Sequence, residues 1–297
     1  MKKVIVVVGP TAVGKTKIAI ELAKHYNLDV ISGDSVAIYK RLDIGSAKPT
    51  IEEMDGVKHY LIDILEPTED YSACDFQRAA RSIMDQKDLS LICGGTGLYI
   101  QSTLFNYEFK SGKRDFEFEK QFSHLSNEEL YELLLKKDPN IDKTKIHPNN
   151  RKRVLRALEV LNELNQSIHD FNHKDEKLYD YFIVYLSLDR DVLYERINKR
   201  VDIMFDMGLE KEVYDLYQDG IYPHAIGYQE FLPYFRNEVS LETVKEEIKK
   251  NTRHLAKRQE TWFKNQMDSH FYKVDLNNMT NTINQIIQDI DIWRKEQ

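Results

Sequence analysis

The chain has 297 residues, of which 41% are hydrophobic, enough to bury one large α/β core and a smaller second domain. Its two cysteines, Cys74 and Cys93, lie far apart without C-x-x-C spacing, which excludes a disulfide framework and a cysteine zinc site. The 49 acidic and 42 basic residues give a formal charge of −7, which argues against a nucleic-acid partner unless basic residues cluster locally.

The sequence shows neither a membrane span nor a targeting signal. No apolar stretch reaches the roughly 20 residues that cross a bilayer. No apolar leader with a cleavage site precedes the first apolar run. We therefore expect a cytoplasmic protein with reduced cysteines and no membrane association.

The first predicted element is a buried strand over residues 4–8, followed by a glycine-rich loop and an amphipathic helix over residues 17–25. This arrangement is the phosphate loop (P-loop), which binds a diphosphate or triphosphate through backbone N–H groups and the helix N-terminus. Lys15 adds a mobile cation, and Thr16 a ligand for Mg²⁺. The pattern leaves the phosphorylated molecule open, so a nucleotide such as ATP is one candidate. The loop residues are Gly9, Pro10, Thr11, Ala12, Val13, Gly14, Lys15 and Thr16.

Further strands are predicted over residues 29–32, 59–65 and 89–93, alternating with helical patterns as in a parallel sheet. Between the last two, Ser72 and Asp75 have the spacing of a capping box that opens a helix running to about residue 86. Together these elements predict an α/β fold with a P-loop kinase-like parallel sheet flanked by helices.

The sequence becomes charged and helix-rich from Lys110 onward, and it includes a second capping box at Ser126 and Glu129. Strand character returns over residues 181–188, long helices follow with Gly220 as a stop signal, and a last strand is predicted over residues 270–276. We therefore predict a discontinuous catalytic core, residues 1–109 and 178–297, interrupted by a helical insertion over residues 110–177.

The acidic residue that most P-loop NTPases carry at the end of a neighbouring strand is missing after residues 89–93, where Gly94, Gly95 and Thr96 follow instead. This weakens a hydrolase interpretation, although Asp63 remains a candidate for the missing acid. The second strand delivers Asp34 to the carboxyl edge of the sheet, where open α/β sheets bind their ligands. Asp34 is thus expected to face the phosphate pocket, with a turn or helix N-cap role as the alternative.

Several sequence blocks are spread in order over nearly the whole chain, and the later ones are far more specific than the P-loop. They are the P-loop, Ser32-Gly-Asp-Ser35 with Tyr39, Asp43-Ile-Gly-Ser-Ala-Lys-Pro49, Gly94-Gly-Thr-Gly-Leu-Tyr99, His147-Pro-Asn149 with Arg153, Arg156, Ala157, Leu158 and Glu159, Ile226-Gly-Tyr228, and Ala256-Lys-Arg-Gln259 with Thr261-Trp-Phe263. Together these blocks resemble the bacterial tRNA dimethylallyltransferases, the IPP transferase family. No cysteine follows Cys93, so the zinc finger of the eukaryotic relatives is absent. The chain departs from the family pattern at two positions: Ser46 stands where threonine is commoner, and Glu260 is an acid inside a basic block.

The resemblance implies an enzyme that transfers a dimethylallyl group from dimethylallyl diphosphate to N6 of the adenosine 3′ of the anticodon, in tRNAs reading codons that begin with U. It implies that Asp34 is the general base for the adenine amine, that Thr96 hydrogen-bonds the adenine edge, and that Arg200 contacts the diphosphate. It also implies Mg²⁺ as a cofactor and tRNA contacts from residues Asp34, Ser35, Val36 and Ala37.

Two basic segments offer phosphate contacts to the anticodon stem-loop, residues 143–156 with six bases and no acid, and residues 249–264 with six bases and one acid. A solvated helix face is the ordinary alternative for such charge runs. Trp262 and Phe263 can stack on bases, although an aromatic pair in a helix is more often part of a core. The predicted tRNA-binding residues here are Arg151, Lys152, Arg153, Arg156, Lys257 and Arg258.

Other functions remain open at this point. A nucleotide or small-molecule kinase would use the same P-loop for ATP, and a non-catalytic RNA-binding protein would keep the loop without using it. An adenylate prenyltransferase acting on free AMP is a nearer alternative, against which the basic segments argue. We expect the enzyme to act as a monomer.

Overall fold

The computed structural model describes residues 1–109, 115–168 and 172–296. Contacts within the chain divide it into two units. We call Met1–Leu104 with Leu178–Gln297 the core unit, and Phe105–Lys177 the inserted unit. The insertion boundary in the sequence analysis was placed at residue 110, five residues later than the start of the inserted unit.

A six-stranded parallel sheet forms the centre of the core unit, and its strand order is β3-β2-β4-β1-β7-β8. The central strand β1 is buried along almost its whole length, as its run of valine and isoleucine predicts. This confirms the predicted α/β fold class. The strands are β1 Lys3–Val8, β2 Val30–Gly33, β3 His59–Tyr60, β4 Leu89–Gly94, β7 Asp180–Ser187 and β8 His270–Lys273.

Helices flank this sheet and bury their apolar residues against it. Ile18 and Leu22 of the first helix and Ile286 of the last are fully buried in one cluster with strand residues Ile5 and Val184. The helices of the core unit are α1 Lys15–Tyr26, α2 Ile51–Met54, α3 Ala73–Met84, α4 Gly97–Leu104, α8 Arg190–Asp206, α9 Leu209–Gln218, α10 Leu232–Phe235, α11 Leu241–Gln266 and α12 Met279–Lys295. None of the described helices combines the length and apolar character needed to cross a membrane.

The described residues of the inserted unit form three helices around a small apolar core that includes Leu130, Leu134, Ile146 and Val154. It also contains a two-stranded antiparallel sheet, which the sequence analysis missed because the second strand reads Asn-His-Lys-Asp-Glu-Lys, without apolar alternation. The elements are β5 Phe105–Tyr107, α5 Phe116–Lys120, α6 Asn127–Lys137, α7 Arg151–Leu164 and β6 Asn172–Lys177.

Both predicted capping boxes are confirmed. The Ser72 hydroxyl accepts the Asp75 N–H at 3.3 Å, while the Asp75 carboxylate accepts the Ser72 N–H at 2.9 Å, at the start of α3. Ser126 and Glu129 make the same reciprocal pair at the start of α6.

The predicted third strand is too long, because it ends at Tyr60 and not at Leu65. Leu61 (φ 62°) and Asp63 (φ 54°) lie in the left-handed region, which cannot continue a strand. Asp63 instead pairs with Lys48. A second difference is the helix α4, which begins at Gly97 and for which no element is predicted from the sequence.

Candidate functional site

The P-loop connects β1 to α1 and turns through three residues with positive φ: Gly9 (147°), Ala12 (64°) and Gly14 (107°). At Gly9 a side chain is excluded, because an added Cβ would lie 2.6 Å from the Leu186 carbonyl oxygen. Helix α1 begins at Lys15, so its free N–H groups and positive dipole end face the loop. Val13 is fully buried in the core and can contribute only its backbone to a phosphate.

Lys15 folds back onto its own loop. Its Nζ donates to the carbonyl oxygens of Gly9 at 3.1 Å and Pro10 at 2.9 Å. Burial, and more weakly the charge of Arg200, lower the pKa of Lys15 to about 8. The loop thus holds a lysine that lacks a counter-charge among the described residues. A bound diphosphate would supply that negative charge and would favour the charged form of Lys15.

Arg200 approaches the P-loop from α8. Its guanidinium donates to the Thr11 hydroxyl at 3.5 Å and to the Ala47 carbonyl at 3.3 Å. Burial lowers the pKa of Arg200. The structure therefore brings a second partly buried cation to the P-loop, although nothing in the spacing of residues 196–200 distinguishes it from a solvated helix charge.

Two cavities meet at these cations. A cavity of about 290 Å³ is lined by Lys15, Arg200, Asp34, Ser35 and Val36, among others. A larger one, of about 680 Å³, is lined by the P-loop, α1, α2 and α8, and it also includes Lys15 and Arg200. We call the first the inner cavity and the second the outer cavity.

Asp34 follows β2 directly and lines the inner cavity at the carboxyl edge of the sheet. Its Oδ1 accepts the N–H groups of Val36 at 2.8 Å and Ala37 at 3.2 Å, so it does form the turn considered as the alternative. Its Oδ2 has no hydrogen bond within the described part of the chain. One oxygen therefore fixes the loop, and the other remains available to a ligand.

Thr96 lies beside Ser35, with their hydroxyl oxygens 3.4 Å apart, and its N–H donates to the Gly33 carbonyl at 3.3 Å. Thr96 therefore lies at the same sheet edge as Asp34, although it lines neither the inner nor the outer cavity. The neighbouring Gly95 does line the inner cavity.

Gln259 was not singled out as a site residue by the sequence analysis. Its Oε1 accepts the Thr11 N–H and its Nε2 donates to the Gly95 carbonyl, both at 3.1 Å. One amide of α11 thus joins the P-loop to the loop that carries Thr96. The sequence offers no signal for this role, because the two partners are backbone groups.

Asp63 and Lys48 form a structural group. The Lys48 ammonium is almost fully buried and contacts Asp63, the Asp43 carboxylate at 2.5 Å and the Tyr39 carbonyl at 2.8 Å. Asp63 lines neither cavity. The Asp63 carboxylate balances the charge of the buried Lys48 ammonium. This ion pair explains the presence of Asp63 without a role in metal binding.

The basic residues of α11 fall into two classes. Lys249 pairs with Asp202 and Glu246, and Arg253 bonds to Asn198, so these side chains are engaged. Lys250 and Lys264 pair with glutamates on the same helix. Lys257 and Arg258 are exposed and form no ion pair with any described residue.

The aromatic pair of α11 packs inward. Phe263 is fully buried against Tyr185, and Trp262 covers Gly97, where an added Cβ would come within 2.3 Å of the indole. These contacts identify Trp262 and Phe263 as packing residues.

The same division holds for α7. Arg151 donates to the carbonyl oxygens of Phe122 at 2.6 Å and Leu125 at 2.8 Å, and so ties α7 to the end of α5 and the following turn. Arg156 pairs at 2.5 Å with Glu159, whose side chain is 1% exposed. Lys152 and Arg153 are exposed and have no ion pair with the described residues.

Two family models match the chain. The model described as "IPP transferase" matches residues 37–266, and the one described as "Isopentenyl transferase" matches residues 2–70. Together they include the P-loop, Asp34, Thr96, Arg200 and α11.

Curated relatives and solved structures agree with these models. Proteins named tRNA dimethylallyltransferase from Bacillus cereus strain AH187 and from Bacillus anthracis are each 45% identical to this chain over 300 residues, covering 97% of it and 95% and 96% of the relatives.

Crystal structures of tRNA isopentenylpyrophosphate transferases from Staphylococcus epidermidis and Bacillus halodurans are 40% and 38% identical, with TM-scores of 0.73 and 0.74 and coverage of at least 98% of each chain. A eukaryotic dimethylallyltransferase described as acting on tRNA is 29% identical, with a TM-score of 0.82, and covers 97% of this chain and 78% of its own.

Proposed function

The chain belongs to the IPP transferase family, and from this premise we propose how it works as a tRNA dimethylallyltransferase. We propose that the donor is dimethylallyl diphosphate and the acceptor is N6 of the adenosine 3′ of the anticodon, in tRNAs reading codons that begin with U. The observation that carries the proposal is the inner cavity, where two partly buried cations lie with one carboxylate that has a free oxygen.

The donor reacts by losing its diphosphate. As the bond between the allylic carbon and the diphosphate oxygen breaks, negative charge develops on that oxygen, and the P-loop N–H groups, Lys15 and Arg200 are placed to stabilise it. Lys15 must release the Gly9 and Pro10 carbonyls to reach the diphosphate. In this account the P-loop binds a leaving group and transfers no phosphate.

The acceptor loses a proton as the new bond forms. The adenine N6 amine is a poor nucleophile, so a carboxylate within hydrogen-bond reach must accept its proton while the nitrogen–carbon bond forms. We assign this role to Asp34 Oδ2, because Oδ1 is occupied by two backbone N–H groups. Thr96, beside Ser35 at the same sheet edge, is proposed to hold the adenine edge.

The site also fits Mg²⁺ as a cofactor. Within the described residues no group of three or more His, Cys, Asp or Glu side chains is found, so an ion must take most ligands from the diphosphate and water. Thr16 lines a small cavity with Lys15 and Asp34, and we propose its hydroxyl as the protein ligand. Bound Mg²⁺ would neutralise part of the charge of the diphosphate.

The tRNA must present its adenine out of the stack, which requires contacts to the surrounding phosphates. We propose that the exposed pairs Lys152 with Arg153, and Lys257 with Arg258, supply those contacts, because the other arginines of these segments already have partners. Backbone and side-chain contacts from Ser35, Val36 and Ala37 would complete the binding of the flipped base.

The relatives do not favour a kinase or an adenylate prenyltransferase. ATP as a ligand has no support beyond the P-loop itself. We further propose that the enzyme acts in the cytoplasm as a monomer; both cysteines are free, which fits a reducing compartment.

Pyrophosphate release tests the proposed chemistry. The protein is incubated with dimethylallyl diphosphate and tRNA, and in parallel with ATP and tRNA. We expect pyrophosphate release only when dimethylallyl diphosphate and tRNA are both present, with no consumption of ATP. Consumption of ATP, or release that does not depend on tRNA, would overturn the proposal.

A further inference from the structure

Glu212 of α9 binds a loop of the core unit through three consecutive backbone N–H groups. Its Oε2 accepts from Asp43 at 3.2 Å and Ile44 at 2.8 Å, and its Oε1 accepts from Gly45 at 3.1 Å. The Tyr228 hydroxyl donates to the same Oε1 at 2.8 Å. Successive N–H groups of this kind form an anion-binding concavity, and here the anion is a side chain of the protein.

The loop held in this way forms part of the site. Gly45, Ser46 and Ala47 line the inner cavity, and the Ala47 carbonyl accepts a hydrogen bond from the Arg200 guanidinium. Ala47 has a positive φ of 53°, so its carbonyl direction depends on how the loop is held. Glu212 itself lines neither cavity.

Packing holds the same loop from a second side. A Cβ added to Gly45 would lie 2.6 Å from the Tyr228 ring, so the loop backbone rests directly on that ring. The ring and the carboxylate therefore both contact the loop at Gly45, and the Tyr228 hydroxyl links the ring to the carboxylate.

We infer that Glu212 is a positioning residue, which fixes the loop of residues 43–47 and through Ala47 orients Arg200 toward the diphosphate. This inference rests on the proposed function, since it is the leaving diphosphate that Arg200 must meet. A glutamate is required because only a carboxylate offers two acceptor atoms to three N–H groups and a hydroxyl. Glutamine would turn two N–H donors of its own toward these donors.

Glu212→Gln tests the inference, with Glu210→Gln as the matched control. Glu210 lies on the same helix and accepts from the Tyr234 hydroxyl at 2.8 Å, but it forms no hydrogen bond with residues 43–47 within the described part of the chain. At metal sites, mutating a residue that orients a ligand typically lowers affinity or activity about 10- to 100-fold, and we take that size of effect as the guide for Glu212. We expect Glu212→Gln to lower kcat/KM for dimethylallyl diphosphate by about that factor with the KM for tRNA unchanged, and Glu210→Gln to stay close to the parent.

A double-mutant cycle with Arg200→Ala separates positioning from general destabilisation. If Glu212 acts through Arg200, the losses in kcat/KM caused by the two mutations are not additive. Glu212→Gln then lowers kcat/KM little further in a protein that already lacks the guanidinium. Fully additive losses, or a Glu212→Gln protein with parental kcat/KM, would overturn the inference. Glu212→Asp, which keeps the charge on a shorter side chain, should give an intermediate loss and serves if Glu212→Gln does not fold.

Binding of inorganic pyrophosphate distinguishes a failure of this inference from a failure of the proposed function. We expect Glu212→Gln to weaken pyrophosphate binding and Glu210→Gln to leave it unchanged. If the parent transfers no dimethylallyl group, the proposed function is wrong, while the pyrophosphate measurement still tests Glu212. If the parent transfers normally and Glu212→Gln binds pyrophosphate as the parent does, the inference about Glu212 is wrong.

Discussion

Asp34 uses its two carboxylate oxygens for different purposes. Oδ1 caps the turn that follows β2, and Oδ2 is left for the ligand. A turn former and a general base looked like competing interpretations in the sequence, but the geometry makes them compatible. A capped carboxylate is also held in one orientation, which general-base catalysis requires.

Replacing Asp34 by Asn separates these two purposes. Asn keeps an Oδ1 acceptor for Val36 and Ala37 but cannot take the proton of the adenine amine. We expect turnover to fall on the order of 10²- to 10⁴-fold, with little change in folding or tRNA affinity. Single-turnover transfer beside a binding titration on the same protein measures both. If Asp34→Asn keeps the parental single-turnover rate, Asp34 acts only as a turn residue. If Asp34→Asn loses both tRNA binding and rate, Asp34 positions the base and does not take its proton.

Lys15 links the site to pH through its lowered pKa. Its folded-state pKa of about 8 lies below the ordinary value of 10.5, so the unfolded chain binds a proton that the folded chain has released between these two pH values. The free energy of unfolding that Lys15 contributes must therefore rise between about pH 8 and pH 10.5, by about 1.4 kcal/mol per pH unit.

Lys15→Met removes this titration. In chemical denaturation between pH 8 and 10, we expect the unfolding free energy of the parent to rise relative to that of Lys15→Met as the pH increases. Below about pH 7 the difference should be constant, because lysine is charged in both states. A difference that stays constant across pH 8 to 10 would contradict the burial of the Lys15 charge.

At the scale of elements, α11 serves two surfaces of the same unit. One side is packed, with Ala256 and Phe263 buried and Gln259 joining two loops of the site. The other side exposes Lys257 and Arg258. Intrahelical ion pairs neutralise Lys250 and Lys264, so the count of bases in this segment overstates the charge that is free for phosphates.

Charge reversal at single positions tests this distinction. We expect Lys257→Glu to weaken tRNA binding and to reduce its salt dependence by roughly one unit of slope. Lys250→Glu is the matched control, because its charge is already balanced by Glu247, and it should change the slope less. Binding titrations at several salt concentrations measure both. Equal slopes for Lys257→Glu and the parent would show that Lys257 contacts no phosphate.

At the scale of the whole molecule, the features that follow local rules were predicted. The buried run of valine and isoleucine predicts the central strand β1, and both capping boxes lie where the spacing of the serine and the acid predicts them. The P-loop is fixed by its own glycines. The resemblance to a family supplied Arg200 as a site residue, which spacing alone would have assigned to solvent.

Features that depend on distant partners were not predictable from local sequence. The strand β6 pairs through backbone groups in a polar segment, and the strand β3 ends early because Leu61 and Asp63 adopt positive φ. Gln259 and Glu212 act on backbone N–H and C=O groups of other elements, and such contacts leave no pattern in the residues they bind. Arg151 and Arg156 have partners within the inserted unit that the sequence does not reveal, and their contacts to phosphates stay a prediction.

In the proposed reaction, the two cations and Asp34 act together to transfer a dimethylallyl group to one tRNA adenosine. Mass analysis of tRNA nucleosides after incubation with dimethylallyl diphosphate tests it most directly, with nuclease mapping to place the modified base. We expect one adenosine, 3′ of the anticodon, to gain the mass of a dimethylallyl group, and the gain to be strongly reduced with Asp34→Asn. Unmodified tRNA, a modified base elsewhere, or prenylation of free AMP instead of tRNA would contradict the account.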